Sequence, residues 1–300
     1  MSFTVYSPIK GANMSKIWLI TGSGSGLGRR IAEAALEGGN RVVATARDTS
    51  DLAGIGDRYG ANVCIVQLDV TDEAQGRVAV QAAVERFGRL DVLVNNAGYG
   101  DTRPFEQVPS AEFRKLVDTC LFGVVNLTRA ALPVMRKQRS GHIIQISSLG
   151  GRTAFPGNAA YFASKWAVGG FTEGIALETA PFGVKVTALE PGAMRTNWGT
   201  RAHASQDSLL PDYEPSVGAS MRLMKDYWGK ENGDPAKVAQ VVLKIADADT
   251  LPPHILLGSD AIQLAHQAEQ ARAAAADRWK AVSASIDMDA VGPIPALPKA

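Results

Sequence analysis

Tyr161 and Lys165 stand four residues apart in Ala160-Tyr161-Phe162-Ala163-Ser164-Lys165, a spacing that places both side chains on one face of a helix. A phenol beside an ammonium is a proton carrier. A free tyrosine titrates near about 10, so service at neutral pH asks for a depression of up to ~3 units, roughly 4 kcal/mol in favour of the phenolate. A neighbouring cation supplies part of that. Tyr-x-x-x-Lys also arises by chance on many helices, and the pair takes its meaning from the rest of the chain. Thr21-Gly22-Ser23-Gly24-Ser25-Gly26-Leu27-Gly28 is a second chemical stretch, a glycine-rich turn in which backbone N–H groups and the positive end of a helix can meet a nucleotide pyrophosphate. It is not a P-loop, because Leu27-Gly28-Arg29 occupy the places of Gly-Lys-Ser/Thr, and no Gly-x-Ser-x-Gly elbow can be laid on it. Phosphoryl transfer and serine hydrolysis therefore lose ground. Arg47-Asp48 follow about 20 residues past the glycines, where an acid binds an adenosine 2′-hydroxyl and an arginine a 2′-phosphate. Arg47 directly follows a strand and its guanidinium suits phosphate, which favours NADP(H); Asp48 leaves NAD(H) open.

These groups need elements to hold them. Ile17-Trp18-Leu19-Ile20 reads as a strand running into the glycine turn, and Ile31 to Leu36 as a helix stopped by Gly38-Gly39-Asn40. The pattern repeats with strands at Arg41 to Ala46, Val63 to Leu68 and Leu90 to Val94, and a helix at Glu73 to Phe87. A long apolar-periodic helix at Phe113 to Met135, a strand at His142 to Ile146, a helix at Ala163 to Thr179 and a strand at Val184 to Leu189 follow. Strands alternating with helices at this spacing imply right-handed crossovers, and near-continuous apolar strands imply a parallel sheet covered on both faces. Asp234-Pro235 begins a further helix to about Ala246, His254 to Leu257 is a seventh strand, and Ala261 to Ile286 a C-terminal helix ended by Gly292-Pro293-Ile294-Pro295. The expected fold is α/β, a single Rossmann-type doubly wound sheet of about seven parallel strands with helices on both faces and a C-terminal helical extension. Residues 16–260 form the dinucleotide-binding and catalytic domain, 197–230 a substrate loop or lid rich in Tyr, Trp, Met, Pro and Gly, and 261–300 the C-terminal helix and tail.

Composition narrows the partners. Thirty-one basic against thirty acidic residues leave a net charge of +1, with no basic stripe, so nucleic acid is not an expected partner. Cys64 and Cys120 lack metal spacing and His142, His203, His254 and His266 are scattered, which argues against a structural metal or disulfides. Residues 1–15 have no apolar leader core and no segment approaches the roughly 18 apolar residues of a membrane span, so a cytoplasmic protein is expected, with 1–15 a disordered arm; Met14-Ser15-Lys16 reads as a second start.

Together these residues resemble the short-chain dehydrogenase/reductase family. Its Thr-Gly-x-x-x-Gly-x-Gly matches Thr21 to Gly28, its Asn-Asn-Ala-Gly matches Asn95-Asn96-Ala97-Gly98, and its Tyr-x-x-x-Lys matches Tyr161 to Lys165. The resemblance covers roughly Lys16 to Asp260 and implies an oxidoreductase moving a hydride between NADP(H) and an alcohol/carbonyl pair. It implies Ser148, thirteen residues ahead of Tyr161, as the residue that hydrogen-bonds the substrate oxygen, with Ser147 its alternative. Tyr161 would be the acid or base and Lys165 the group that tunes it and holds the nicotinamide ribose. Cofactor contacts are implied at Gly22, Ser23, Gly24, Ser25, Gly26, Leu27, Arg47, Asp69, Val70, Asn95, Ala97, Gly98, Tyr161, Lys165, Pro191, Gly192, Met194 and Thr196. One departure stands out: Cys120 occupies the place of an asparagine that in the family helps link the lysine to solvent, and a thiol does not replace an amide's hydrogen bonds. Packing, rather than a reactive thiol, is the expected state of Cys120.

The texture of the chain looks most like bacterial members similar to hydroxysteroid and retinol dehydrogenases. Tyr99, Phe105, Phe155, Met194, Trp198, Tyr213 and Trp228 suit a lipophilic ketone or secondary alcohol. A non-catalytic NADP(H) sensor and a lyase or epimerase on the same fold are the rival readings. The resemblance also implies a homodimer or homotetramer paired through the long helix and the helix of Tyr161.

Overall fold

The computed structural model describes residues 15–203 and 209–298; apart from Ser15, the expected N-terminal arm lies outside them. Seven parallel strands, β1 (Ile17–Ile20), β2 (Arg41–Ala46), β3 (Val63–Gln67), β4 (Val92–Asn95), β5 (Gly141–Ile146), β6 (Val184–Pro191) and β7 (His254–Leu257), lie in the order β3-β2-β1-β4-β5-β6-β7. The helices are α1 (Gly26–Glu37), α2 (Ala53–Tyr59), α3 (Glu73–Phe87), α4 (Ser110–Val117), α5 (Gly123–Gln138), α6 (Ala159–Thr179), α7 (Trp198–Ala202), α8 (Ala219–Tyr227), α9 (Pro235–Ala246) and α10 (Ser259–Ala284).

Alternation along the strands builds two cores. Ile17, Leu19 and Val43 point to the face that carries Val80, Ala83, Leu127, Ala131 and Met135 of α3 and α5. Trp18, Ile20, Val42 and Ala44 point to the other, against Leu27 and Ile31 of α1 and Val242 and Ile245 of α9. Side chains two apart share a face, so each strand feeds both layers, as the apolar runs require. Helix starts follow their capping residues. Asp72 accepts the N–H groups of Ala74 and Gln75 (2.8 and 3.1 Å) before α3, and Asp234 that of Ala236 (2.8 Å) before Pro235 opens α9.

Three elements differ from the sequence expectation. α2 was missed because its stretch carries Gly54 and Gly56 and buries only Ile55, too little for a periodic signal. The long helix is not continuous: a π-helical turn, Asp118–Phe122, separates α4 from α5, an insertion that hydrophobic periodicity does not register. The stretch Ser110–Gln138 is long and apolar enough by composition to cross a membrane, with a mean hydropathy of 1.2 over eighteen residues, yet Leu127, Ala131 and Met135 place its apolar stripe on the sheet. The 197–230 segment is largely helical, through α7, a π-helical turn at Glu214–Gly218 and α8, its aromatic residues having masked the pattern.

His142, at the start of β5, is 2% exposed, and neither ring nitrogen has a hydrogen-bond partner among the described residues. Burial, with Lys185 and Lys16 nearby, lowers its pKa from 6.5 to about 3. The folded protein thus holds a neutral imidazole that the unfolded chain protonates below about 6.5. Stability from this group is full above that pH and lost as pH falls toward the folded value. The expected loss between pH 7 and pH 4 is about 3 kcal/mol. Urea unfolding at the two pH values should show that loss in the wild type and a correspondingly smaller one in His142→Gln; equal losses would refute the assignment.

Candidate active site

The strand order reverses between β1 and β4, and the crevice at their C-terminal ends is where a doubly wound sheet receives its ligand. Thr21 ties the two strands there. Its N–H donates to the Val94 carbonyl (3.0 Å) and its hydroxyl oxygen accepts the N–H groups of Asn96 and Ala97 (2.8 and 3.0 Å). Asn96 returns its amide to the Thr21 carbonyl (2.9 Å), and Ser23 anchors the turn by donating to the Ile20 carbonyl (2.8 Å). Gly22 takes φ +67°, and a Cβ on Gly24 would come within 2.8 Å of Asp51. Ser25 caps α1 in extended conformation with no side-chain cap bond, which leaves the first-turn N–H groups of α1 for an outside acceptor. This cradle fits a pyrophosphate.

The 2′ end of such a ligand is also defined. Asp48 Oδ1 accepts the Ser50 N–H (2.9 Å), and its hydrogen bonds with Ser50 hold the carboxyl below the usual aspartate value. Asp48 is thereby committed to the turn Thr49–Leu52, while Arg47 stands exposed beside it. Asp69, after β3, accepts the N–H and hydroxyl of Thr71 (3.0 and 2.7 Å), and Val70 packs so close to Gly123 that a Cβ there would meet it at 2.6 Å. Asn95 turns its amide to Gln145 (2.8 Å) and Thr128 (3.3 Å) inside the protein. Its neighbour Asn96, which the sequence reading passed over, is the one whose side chain holds the glycine turn. Ala97 joins it through Thr21, and Gly98 lies against Cys120.

Ser148, Tyr161 and Lys165 converge at the ends of β5 and α6. Ser148 Oγ accepts the Gly150 N–H (3.0 Å), which fixes the turn Leu149–Gly151, and the Ser148 hydroxyl lies near enough to the Tyr161 phenol to favour its ionised form. Ser147 instead faces the α6 backbone, its hydroxyl 3.5 Å from the Lys165 carbonyl. Lys165 is 4% exposed, donates from Nζ to the Ile146 carbonyl (2.7 Å) and lies 5.5 Å from the centre of the Tyr161 ring. No carboxylate pairs with it among the described residues. Cys120 is fully buried in the π-helical turn and donates from Sγ to the Tyr99 carbonyl (3.3 Å); burial pushes its thiol upward.

The electrostatics differ from the depressed phenol expected of the pair. Burial raises the Tyr161 pKa well above its ordinary value, outweighing the opposing influence of Ser148, and burial lowers that of Lys165. Desolvation disfavours whichever form is charged, and Tyr161 holds its proton at neutral pH.

Beyond β6, Gly192 N–H donates to the Leu257 carbonyl (2.9 Å), Ala193 N–H to Asp260 Oδ2 (2.9 Å) and Arg195 N–H to the Gly233 carbonyl (3.0 Å). These bonds tie the segment from Gly192 to Arg195 to the end of β7, the start of α10 and Gly233, with Met194 paired to Gly233. Trp198 follows, its ring 5.1 Å from that of Tyr161. Arg201 of the same short helix reaches Ser25 Oγ with Nη1 (3.4 Å), a contact 176 residues apart in sequence that no local pattern signals. Of the remaining aromatic residues, Phe105, Phe155 and Tyr213 line one apolar pocket of about 430 Å³ with Phe162 and Val217, whereas Trp228 meets His203 edge-to-face (5.1 Å between ring centres).

Such a crevice is what a dinucleotide-dependent oxidoreductase requires. The family model described as short chain dehydrogenase matches residues 16–207. A fungal relative, oxidoreductase BOA17 of Botryotinia fuckeliana, is 43% identical over 90% of this chain and 98% of its own. Among solved structures, a short-chain dehydrogenase from Streptomyces avermitilis superposes with a TM-score of 0.85 at 39% identity, covering 92% of this chain and all of that one. ElxO with NADP bound superposes with a TM-score of 0.68 at 31% identity, covering 81% and 96%. The chain belongs to the short-chain dehydrogenase/reductase family and is an oxidoreductase of that family.

Proposed function

We propose that the protein uses NADP(H) to interconvert a lipophilic ketone and its secondary alcohol. The observation that carries this is the convergence of Ser148 with the buried Tyr161 and Lys165 at the ends of β5 and α6, the Lys165 Nζ 5.5 Å from the Tyr161 ring centre. A nicotinamide held in the crevice would supply the hydride for the carbonyl carbon. Ser148 hydrogen-bonds the carbonyl oxygen and Tyr161 gives it a proton as it becomes an alkoxide. Lys165 then faces the phenolate, whose charge it offsets in a water-poor site. Trp198 on the Tyr161 ring and the apolar pocket of Phe105, Phe155 and Phe162 favour substrates with hydrocarbon bulk beside the carbonyl; a pocket of this kind discriminates weakly among similar apolar groups.

The engagement of Asp48 in its own turn and the exposure of Arg47 support a 2′-phosphate, as does the NADP bound in ElxO. A screen of aryl and long-chain ketones, followed by nicotinamide absorbance with NADPH and with NADH, tests the reading. Net consumption of NADPH is expected. Binding without consumption would identify a sensor, and product without net cofactor change a lyase or epimerase. Arg47→Ala should raise the NADPH KM by about tenfold, in keeping with one charge-assisted phosphate contact, and leave that for NADH unchanged; equal effects would refute a 2′-phosphate contact. The proposed assembly pairs α5 and α6 across a twofold axis, since Phe122 and Trp166 at those helices stand half exposed.

A further inference from the structure

The C-terminal helix α10 runs for 26 residues yet fully buries only Ala261 and Ala265. Apolar burial on that scale does not account for its docking, and its polar contacts fall on a defined set of neighbours. Asp260, in its first turn, accepts the Ala193 N–H through Oδ2 (2.9 Å). Gly192 is moulded to this carboxylate, since a Cβ there would come within 2.3 Å of Oδ2. Ala261 and Ala265 pack on Leu149, the residue after Ser148. Glu269 pairs with Arg152 Nη2 (2.6 Å), and Arg272 donates to the Arg152 carbonyl (3.0 Å), both just past the Ser148 turn. The Arg272 guanidinium also lies 5.1 Å from the ring centre of Trp166, the residue after Lys165.

One helix thus touches the immediate neighbours of Ser148 and Lys165 and the segment after Pro191. We propose that α10 is a brace for the reaction centre, in which Asp260 is the positioning residue for the nicotinamide-holding segment and the Arg152–Glu269 pair that for the Ser148 turn. The assignment rests on the function proposed above. Asp260 acts through the backbone: its charge-assisted bond fixes the Ala193 N–H, and with it the path of Gly192 to Thr196. Glu269 acts on the other side, holding Arg152 so that the turn capped by Ser148 keeps its geometry. A displacement of about 1 Å at either place costs up to a hundredfold in rate.

The two sides of the brace separate by experiment. NADPH affinity is measured by fluorescence titration, and kcat and KM with the best ketone of the screen. Asp260→Ala is expected to weaken NADPH binding and lower kcat by about tenfold each. Asp260→Asn, which retains an oxygen to accept the Ala193 N–H, should stay within about threefold of wild type. Glu269→Ala, at a half-buried position whose unfolding midpoint is measured alongside, should lower kcat about fivefold while leaving NADPH affinity unchanged. The proposal is overturned if Asp260→Ala matches wild type, if Asp260→Asn is as impaired as Asp260→Ala, or if Glu269→Ala leaves kcat intact or weakens NADPH in parallel with kcat. A wild-type protein that binds neither NADPH nor NADH overturns the functional reading and the brace with it. One that binds and turns over while the variants behave as wild type overturns the brace alone.

Discussion

Tyr161→Phe is expected to lower kcat for ketone reduction at least 100-fold, the range of a lost general acid, while NADPH affinity stays within about threefold because no ring packing changes. The phenylalanine ring keeps the contacts with Trp198 (5.1 Å) and Phe162 (6.2 Å) and the place beside the Lys165 ammonium. What goes is one hydroxyl, and with it the transferable proton. A buried tyrosine with a raised pKa carries its proton throughout the neutral range, so the wild-type reductive rate should hold level there and fall only in alkali, as the phenol ionises. Alcohol oxidation runs the opposite way, because it needs the phenolate, and should rise with pH. A loss of less than about tenfold in Tyr161→Phe, against the usual range for acid–base catalysis, would remove Tyr161 from the chemistry and leave Ser148 as the group to examine. Unfolding midpoints of the two proteins separate a chemical loss from a folding one.

What the chain reveals on inspection and what it hides divide along physical lines. Strands β1 to β7 are short, mostly apolar runs, and β1, β2 and β7 match the sequence expectation to the residue because apolar run and flanking turn chemistry agree there. Their parallel pairing follows from the intervening helices. The glycine turn and the Tyr161 to Lys165 spacing are local patterns, and the structure brings them to one crevice with Ser148. Arg152, Asp260 and Asn96 are different in kind. Each works through a contact with a segment distant in sequence, 67 residues for Asp260 to Ala193 and 75 for Asn96 to Thr21, and a single acid, arginine or amide has no period to betray it. The phenol's electrostatics were misjudged for a similar reason. A cation at i+4 is visible in sequence, whereas the desolvation that raises the phenol's pKa depends on Trp198 and Cys120 arriving from elsewhere in the chain.

Gly28→Ala should be the most damaging single-methyl change in the nucleotide turn. A Cβ at Gly28 would stand 2.3 Å from the Gly22 carbonyl oxygen and 2.4 Å from Asn96 Nδ2. The first obstacle is backbone in a turn that already needs φ +67° at Gly22, so it cannot rotate aside as a side chain does. The second is the amide that closes β4 onto β1 through the Thr21 carbonyl (2.9 Å). Relief therefore requires the turn to open and that latch to break. Overpacking costs about 1–3 kcal/mol and each lost hydrogen bond about 1 kcal/mol more, which places the expected destabilisation near about 4 kcal/mol. NADPH affinity should fall at least 100-fold, since the N–H groups that face the pyrophosphate move with the turn. Gly26→Ala is the informative comparison. Gly26 also has positive φ (+58°) but nothing lies within 4 Å of its would-be Cβ, so it should lose only the roughly 1–2 kcal/mol of left-handed backbone strain. Thermal unfolding and NADPH titration of both variants distinguish close approach from strain: if Gly28→Ala proves no more harmful than Gly26→Ala, the contact of α1 with the Gly22 carbonyl is not what shapes this turn.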